Sequence, residues 1–297
     1  MRRSNKPIDN RILLYQERSA SECMNAAIDF MRQNWRLLLR YSLYIMLPVC
    51  VLQSVGLVSI VDTAFAQVSD FPVADFVTLF IFGGIGFILL NALLWTLMRI
   101  YHDSPDGLAS LTGKEFRRRF WPMVGRMTVA AIVIAIVIVP VWALSTIVLM
   151  IVPFAFFVYM LVALPILLIA PIFALERCSI FAAVKRAFSN GFRQFGTLVV
   201  MAITLVILVY VMQGLALLPW GLLVALKRLL IQPSAAVSPI LAVLGESLFN
   251  IFSVLLCYVT YLSMAVVLLS GAYLYGSAVQ QKEDVSLATD IDNFENL

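Results

Sequence analysis

The chain has 297 residues, 62% of them hydrophobic and 13% charged, with 21 Lys and Arg against 17 Asp and Glu and a single His. A soluble domain is roughly half apolar and about a quarter charged, so this much apolar surface has no place inside a water-soluble globule. Its charges are separated by long apolar gaps rather than by amphipathic periods, which excludes a soluble fold and calls for a bilayer.

The first element in chain order is a helix over about residues 20–34, where Met24, Ala27, Ile28 and Met31 form an apolar stripe ahead of Asn34-Trp35-Arg36. Two charge-free stretches follow, Tyr41 to Val61 and Phe76 to Met98, and these predict spans at 38–61 and 76–98. Within the second, Gly83-Gly84-Ile85-Gly86 lies inside a charge-free span, where small residues let helices approach closely; packing is preferred to a nucleotide loop. A second basic helix, about 112–121, ends in Arg117-Arg118-Arg119-Phe120-Trp121-Pro122. The gap behind it, Met127 to Leu175, is too long for one helix and has Pro153 near its midpoint. It predicts two spans, 127–150 and 154–175, joined by a tight turn.

A third basic helix, about 178–190, is the most regular, with Ile180, Phe181, Val184, Phe188, Phe192 and Phe195 at three- and four-residue steps and Lys185, Ser189 and Arg193 opposite. Such a helix lies in the membrane interface, its aromatics among acyl chains and its cations near anionic head groups. The last two spans are expected at 197–224 and 248–276. Residues 1–279 thus read as a single integral membrane domain, and 280–297 as a mobile, solvated acidic cytoplasmic tail. Closed barrels would show alternating segments of about ten residues instead of solid apolar blocks, so the fold class is all-α: a polytopic bundle of six transmembrane helices with amphipathic interfacial helices.

Each interfacial helix precedes a pair of spans, and aligning Trp35, Trp121 and Phe192 suggests three copies of one unit. In the third copy, Asn190-Gly191 is suited to ending the interfacial helix through a left-handed cap, with Asn34 in the same role in the first. All Lys and Arg except Lys227 and Arg228 fall on one side of this layout, while the segment around Asp62, Asp70 and Asp75 carries none. By the positive-inside bias that side is cytoplasmic, and both termini lie there. A bacterial inner membrane is the expected location. The first long apolar run begins near Leu37, behind a charged leader, so no cleaved signal peptide is expected. Cys23, Cys50, Cys178 and Cys257 show no paired spacing and predict no disulfide.

The stretch from Pro171 through Phe192, with Glu176-Arg177, Ala182-Ala183-Val184-Lys185-Arg186-Ala187-Phe188 and Gly191-Phe192, resembles the membrane domain associated with glycerophosphodiester phosphodiesterases and its stand-alone bacterial relatives. The resemblance implies a six-span layout with this segment as the cytoplasmic linker after the fourth span. It carries no enzymatic activity, since only an acidic tail follows the last span, where the catalytic barrel of fused members has no room. The carotenoid oxygenase label sometimes attached to similar proteins fails on ligand count, because those enzymes hold iron with several His and this chain has one.

The search for chemistry returns little. His102 stands beside Asp103 and near Asp106 and Glu115, but Tyr101-His102-Asp103-Ser104-Pro105-Asp106-Gly107 is built of ordinary turn formers and reads as a polar loop. No cofactor, metal or catalytic group is expected, and, Arg40 at the entry of the first span aside, the spans hold no Asp, Glu, Lys or Arg of the kind that charge-coupled transport leaves in a membrane. The most suggestive polar feature is a face of the last span, where Asn250, Ser253, Cys257, Thr260, Tyr261 and Met264 recur at helical steps; Asn91 and Gln213 are candidate partners on other spans. Interhelical hydrogen bonding is the preferred role, a ligand path the alternative. Candidate lipid-interface residues are Arg117, Arg118, Arg119, Lys185, Arg186 and Arg193 with Trp35, Trp121 and Phe192. The expected partners are membrane lipids with anionic head groups and another membrane protein or a second copy, with no nucleic acid. The functional expectation is a non-enzymatic scaffold or assembly factor for envelope components, the alternative a transporter or flippase for an amphiphilic molecule.

Overall fold

The computed structural model of the chain describes residues 12–65, 73–104, 107–108, 111–147, 161–176, 178–230 and 239–295. Among the described residues the helices are α1 (Ala20–Gln33), α2 (Trp35–Phe65), α3 (Val73–Asp103), α4 (Gly113–Ile147), α5 (Ile169–Leu175), α6 (Ile180–Arg193), α7 (Phe195–Leu230) and α8 (Pro239–Glu295), with residues 161–166 also helical. Among the described residues, five stretches are long and apolar enough to cross a membrane: Trp35–Phe65, Val73–Asp103, Gly113–Pro140, Phe195–Arg228 and Val243–Gln281. The protein is an all-α, multi-pass membrane helix bundle. At 1.5 Å per residue, the 31 residues of α2 reach about 46 Å, which overshoots the roughly 30 Å hydrocarbon layer and carries both helix ends into the head-group zones. Residues 154–160 of the expected fourth span, 154–175, lie outside the described residues; the rest of it is the apolar helical stretch Leu161–Leu175. The end of the third span and the turn at Pro153 also lie outside them.

The core sits where α3 and α8 cross the other helices. Every residue of α3 from Leu90 to Met98 is buried, as is every residue of α8 from Gly271 to Ala278. A helix buried all round needs no amphipathic stripe, which is why these segments show no period in the sequence. Around them α2 packs on α3 and α8, α4 on α3 and α5, and α7 on α8. Two glycines set the distances of approach. A Cβ on Gly56 would stand 2.9 Å from the Asp75 carbonyl oxygen, bringing α2 against the start of α3; one on Gly86 would stand 2.0 Å from the Tyr261 hydroxyl of α8.

The interfacial helices break from their spans by a shared device. At α1, Ser19 and Glu22 form a capping box, and the helix ends at Asn34, whose backbone and side-chain amides both donate to the Phe30 carbonyl. Ser179 caps α6 by accepting from the Ala182 amide, without the reciprocal half of a box, and Gln194 ends it, its amide donating to the Asn190 carbonyl. In each case one residue separates a helix of 14 residues from the span behind it. Neither break is a left-handed cap: Asn34 has φ −110°, and Gly191 lies inside α6. Gly191 is there for room, since a Cβ would meet Pro165 Cβ at 2.8 Å. The matching positions are therefore Trp35 and Phe195, each opening a span, rather than Trp35 and Phe192. The middle copy differs again, because residues 112–121 do not form a separate helix but the first turns of α4, which runs unbroken through Pro122. The acidic segment beyond residue 280 also continues the α8 helix, to Glu295; it contains no Gly or Pro to stop it.

Candidate functional site

The polar face of the last span is the first candidate, and the structure divides it. Tyr261 donates to Gln53 Oε1 on α2 at 2.7 Å and approaches the Gly83 carbonyl on α3 at 3.4 Å. Tyr258 shares a 2.7 Å hydrogen bond with Ser42 of α2. Thr260 donates to Gln213 Oε1 of α7 at 3.4 Å, and the Gln213 amide donates in turn to Ser263 at 3.2 Å. The fully buried Ser253 accepts from Trp220 Nε1 of α7 at 2.9 Å and donates to the Phe249 carbonyl. Cys257 is buried within the same seam. Asn250 is not part of it: the side chain is exposed and donates to the Glu246 carbonyl one turn back. Asn91 stays within α3, donating to Phe87 and accepting from Trp95 Nε1 at 3.1 Å.

The seam thus joins α8 to α2, α3 and α7 by side-chain hydrogen bonds, and five of its members, Ser42, Gln53, Trp220, Tyr258 and Ser263, escaped the sequence reading. The steps from Ser42 through Met46 and Cys50 to Gln53 follow one face of α2 and would have exposed two of them. Two interior clefts nearby, one beside Ser42 and Tyr258 and one beside Asn91 and Ala170, hold about 30 and 10 Å³. That is room for about one water or none.

At one end of the bundle Lys227 of α7 reaches Asp62 of α2 at 2.6 Å and Glu246 of α8 at 3.0 Å, with its ammonium 4.7 Å from the Phe249 ring centre. In sequence Lys227 is merely an exception to the charge bias. In the fold it ties three helix ends together.

The other end carries most of the cations. Arg126 donates to the carbonyls of Phe173 and Glu176, the latter at 3.1 Å, and lies over the Phe173 ring. These carbonyls stand at the end of α5, where no further helical turn exists to satisfy them. The Glu176 carboxylate pairs with Arg186 of α6 and accepts from Tyr275 of α8, so α4, α5, α6 and α8 meet at this residue. Arg119 pairs with Glu115 at 2.8 Å and with Asp103 at 3.6 Å, and Arg99 also faces Asp103. By contrast Arg117, Arg118, Lys185 and Arg193 are exposed and have no ion-pair partner among the described residues. Trp35, Trp121, Phe181 and Phe192 are likewise exposed. The fully buried residues of α6 are Ala183, Ala187 and Gly191, with Ile180, Val184 and Phe188 half-buried beside them, while Phe181 and Phe192 face outward. On α1 the buried face is Cys23, Ala26, Ala27 and Phe30, one position around from the expected stripe, with Ile28 exposed.

The segment before α1 crosses this end as a strap. Ile12 donates to the Tyr101 hydroxyl at 3.2 Å, Arg18 donates to Ser277 Oγ at 3.0 Å, and the Arg18 guanidinium lies 5.4 Å from the centre of the Tyr273 ring. Gly276 allows the crossing, because a Cβ there would stand 2.1 Å from the Leu14 carbonyl oxygen. The hydrogen bonds that Glu22 accepts from Ser19 lower its carboxyl pKa. Burial pushes the Cys23 thiol up to about 11 and also raises that of Cys178, and all four cysteines are free.

His102 belongs to the last turn of α3 and packs edge-on against Tyr101. Among the described residues, no three His, Cys, Asp or Glu side chains come together as a metal site. What the described residues offer is hydrogen bonding between helices and a cluster of cations that attracts anions at the basic end. Comparison of the chain with protein-family models, with curated proteins and with solved structures gives no match.

Proposed function

We propose that this is a non-enzymatic scaffold or assembly factor of a bacterial inner membrane, with both termini in the cytoplasm and the basic end resting on anionic head groups. One contrast carries the reading. On α8 Ser253, Tyr258, Thr260, Tyr261 and Ser263 are engaged by side chains of neighbouring helices, whereas Lys185, Arg193, Arg117 and Arg118 stand outward beside exposed aromatics, with no ion-pair partner among the described residues. A polar seam used as glue favours packing over a ligand path. Outward cations flanked by aromatics are the pattern of a surface that meets lipid. The resemblance of residues 171–192 to the phosphodiesterase-associated membrane domain fits the same orientation.

Native mass spectrometry after gentle extraction tests the reading. A second protein, or a second copy of the chain, should travel with it together with anionic lipid. An amphiphilic solute held without any protein partner would replace the scaffold by a transporter or flippase. Orientation is tested by single-Cys reporters: positions 70 and 233 should react with an impermeant reagent from outside, and Lys114 and Ser189 should not. Because Arg186 is engaged with Glu176, lipid attraction is probed by changing Lys185 and Arg193 to Glu; unchanged binding to anionic vesicles would remove the lipid-facing role.

A further inference from the structure

An open groove of about 770 Å³ lies between α2 and α4 at the basic end. Its walls are two helical faces: Arg40, Tyr41, Tyr44 and Ile45 on α2, and Phe116, Arg117, Phe120 and Trp121 on α4. The Tyr41 and Phe116 rings stack across the gap at 4.1 Å, and Phe120 continues the stack along α4. Apolar Ile45 and Leu89 line it as well. Tyr44, 83% exposed, and Trp121, 63% exposed, stand at its margin.

Two facts make this more than a crease between helices. Arg40 and Arg117 come from different helices, line the same groove, and have no ion-pair partner among the described residues, although Arg119, two residues from Arg117, has two. An arginine left unpaired beside an aromatic wall offers a planar fork of donors suited to a phosphate. The remaining lining is aromatic and aliphatic, which suits an acyl chain and not a soluble anion. Charge and apolarity are thus combined in one recess, as a glycerophospholipid combines them.

We propose that this groove is a specific binding site for one anionic glycerophospholipid, its phosphate held by Arg40 and Arg117 and an acyl chain laid over Tyr41 and Phe116 toward Ile45 and Leu89. The inference deepens the scaffold reading and rests on its placing of the basic end among head groups. It adds that one lipid is retained as a component of the protein rather than merely attracted to its surface.

The test uses the full chain in a mild detergent, stripped of lipid and then titrated with phosphatidylglycerol, with phosphatidylcholine or with inorganic phosphate, bound lipid being counted by native mass spectrometry. One phosphatidylglycerol should bind well above the others, and phosphatidylcholine and phosphate should not compete. With both cations removed in Arg40→Gln/Arg117→Gln, affinity should fall about thirtyfold, taking a tenfold loss as 1.4 kcal/mol and each cation near the head groups as about 1 kcal/mol. Ile45→Trp fills the apolar part and leaves both arginines in place; it should lose the lipid while keeping the wild-type melting profile without lipid. Equal competition by inorganic phosphate would overturn the proposal in favour of a soluble anion site. Retention unchanged in both variants would also overturn it. If the bound lipid instead depends on Lys185 and Arg193, the groove assignment fails while the lipid-facing basic end stands; if no variant alters anionic lipid at all, both fail.

Discussion

Replacing Gly86 by Ala puts a methyl group where the Tyr261 ring already lies: the new Cβ would be 2.0 Å from the hydroxyl oxygen and 2.4 Å from the carbon that bears it. The ring cannot yield freely, because its hydroxyl is held by Gln53 at 2.7 Å. Overpacking of this kind costs about 1–3 kcal/mol. Tyr261→Leu removes the obstacle and costs its own hydrogen bond, about 0.6 kcal/mol with a ceiling near 1.7 inside a membrane bundle, together with some ring packing. Combined, the two changes should cost less than their sum by about 1–3 kcal/mol, since the methyl no longer meets the ring. Gly84→Ala is the control: nothing lies within 4 Å of its Cβ position, so the exchange should be neutral or gain up to about 1 kcal/mol of helix propensity. Reversible unfolding of the four proteins in mixed micelles measures the cycle. Additivity within about 0.5 kcal/mol would refute the close crossing of α3 and α8.

Ser253→Ala should destabilise by about 0.6 kcal/mol and at most about 1.7, because Trp220 loses its acceptor, while Asn250→Leu should stay within about 0.5 kcal/mol of wild type; thermal unfolding in detergent ranks the two. Arg126→Gln should cost about 1–3 kcal/mol by stranding the carbonyls that end α5, and hydrogen exchange should rise first in α5 and α6. Glu22 has a lowered folded pKa, so its contribution to the α1 cap is complete above the ordinary glutamate value and is lost as pH falls through the depressed one; amide shifts of residues 19–23 should follow that titration, and Glu22→Gln should abolish it. Among the cysteines, Cys178 should alkylate first in the folded protein, and Cys23, buried with its thiol pushed up to about 11, only after unfolding.

The helices were legible in the sequence because their signal is local: a run without charge of sufficient length announces a span whatever surrounds it. The faces were harder to read. In α6 the sequence pattern draws attention to Phe181, Phe188 and Phe192, yet only Phe188 is even half-buried, and the fully buried positions are Ala183, Ala187 and Gly191. That inversion is physical, since lipid leaves large apolar groups no incentive to hide and close backbone approach favours small ones. Asn250 illustrates the same limit on the polar side: a stripe at helical spacing identifies a face, but its first residue lies beyond the reach of α7. Lys227 and Glu176 were missed for a different reason, because their partners lie on other helices and no local period reports them. The breaks at Asn34 and Gln194 were foreseen in place or nearly so, but not in mechanism.

The strap before α1 carries a consequence for biosynthesis. Arg18 meets Ser277 across 259 positions, and α1 itself packs on α8, which is made long after it. At roughly 5–20 residues per second, the ribosome needs about 13 to 50 s to traverse that interval. Throughout it, Cys23, Ala27 and Phe30 have been synthesised without the surface that will bury them. The nascent chain therefore spends that whole interval with α1 unclaimed, and the membrane surface or an insertion factor must shelter its buried face until α8 arrives to close the circle.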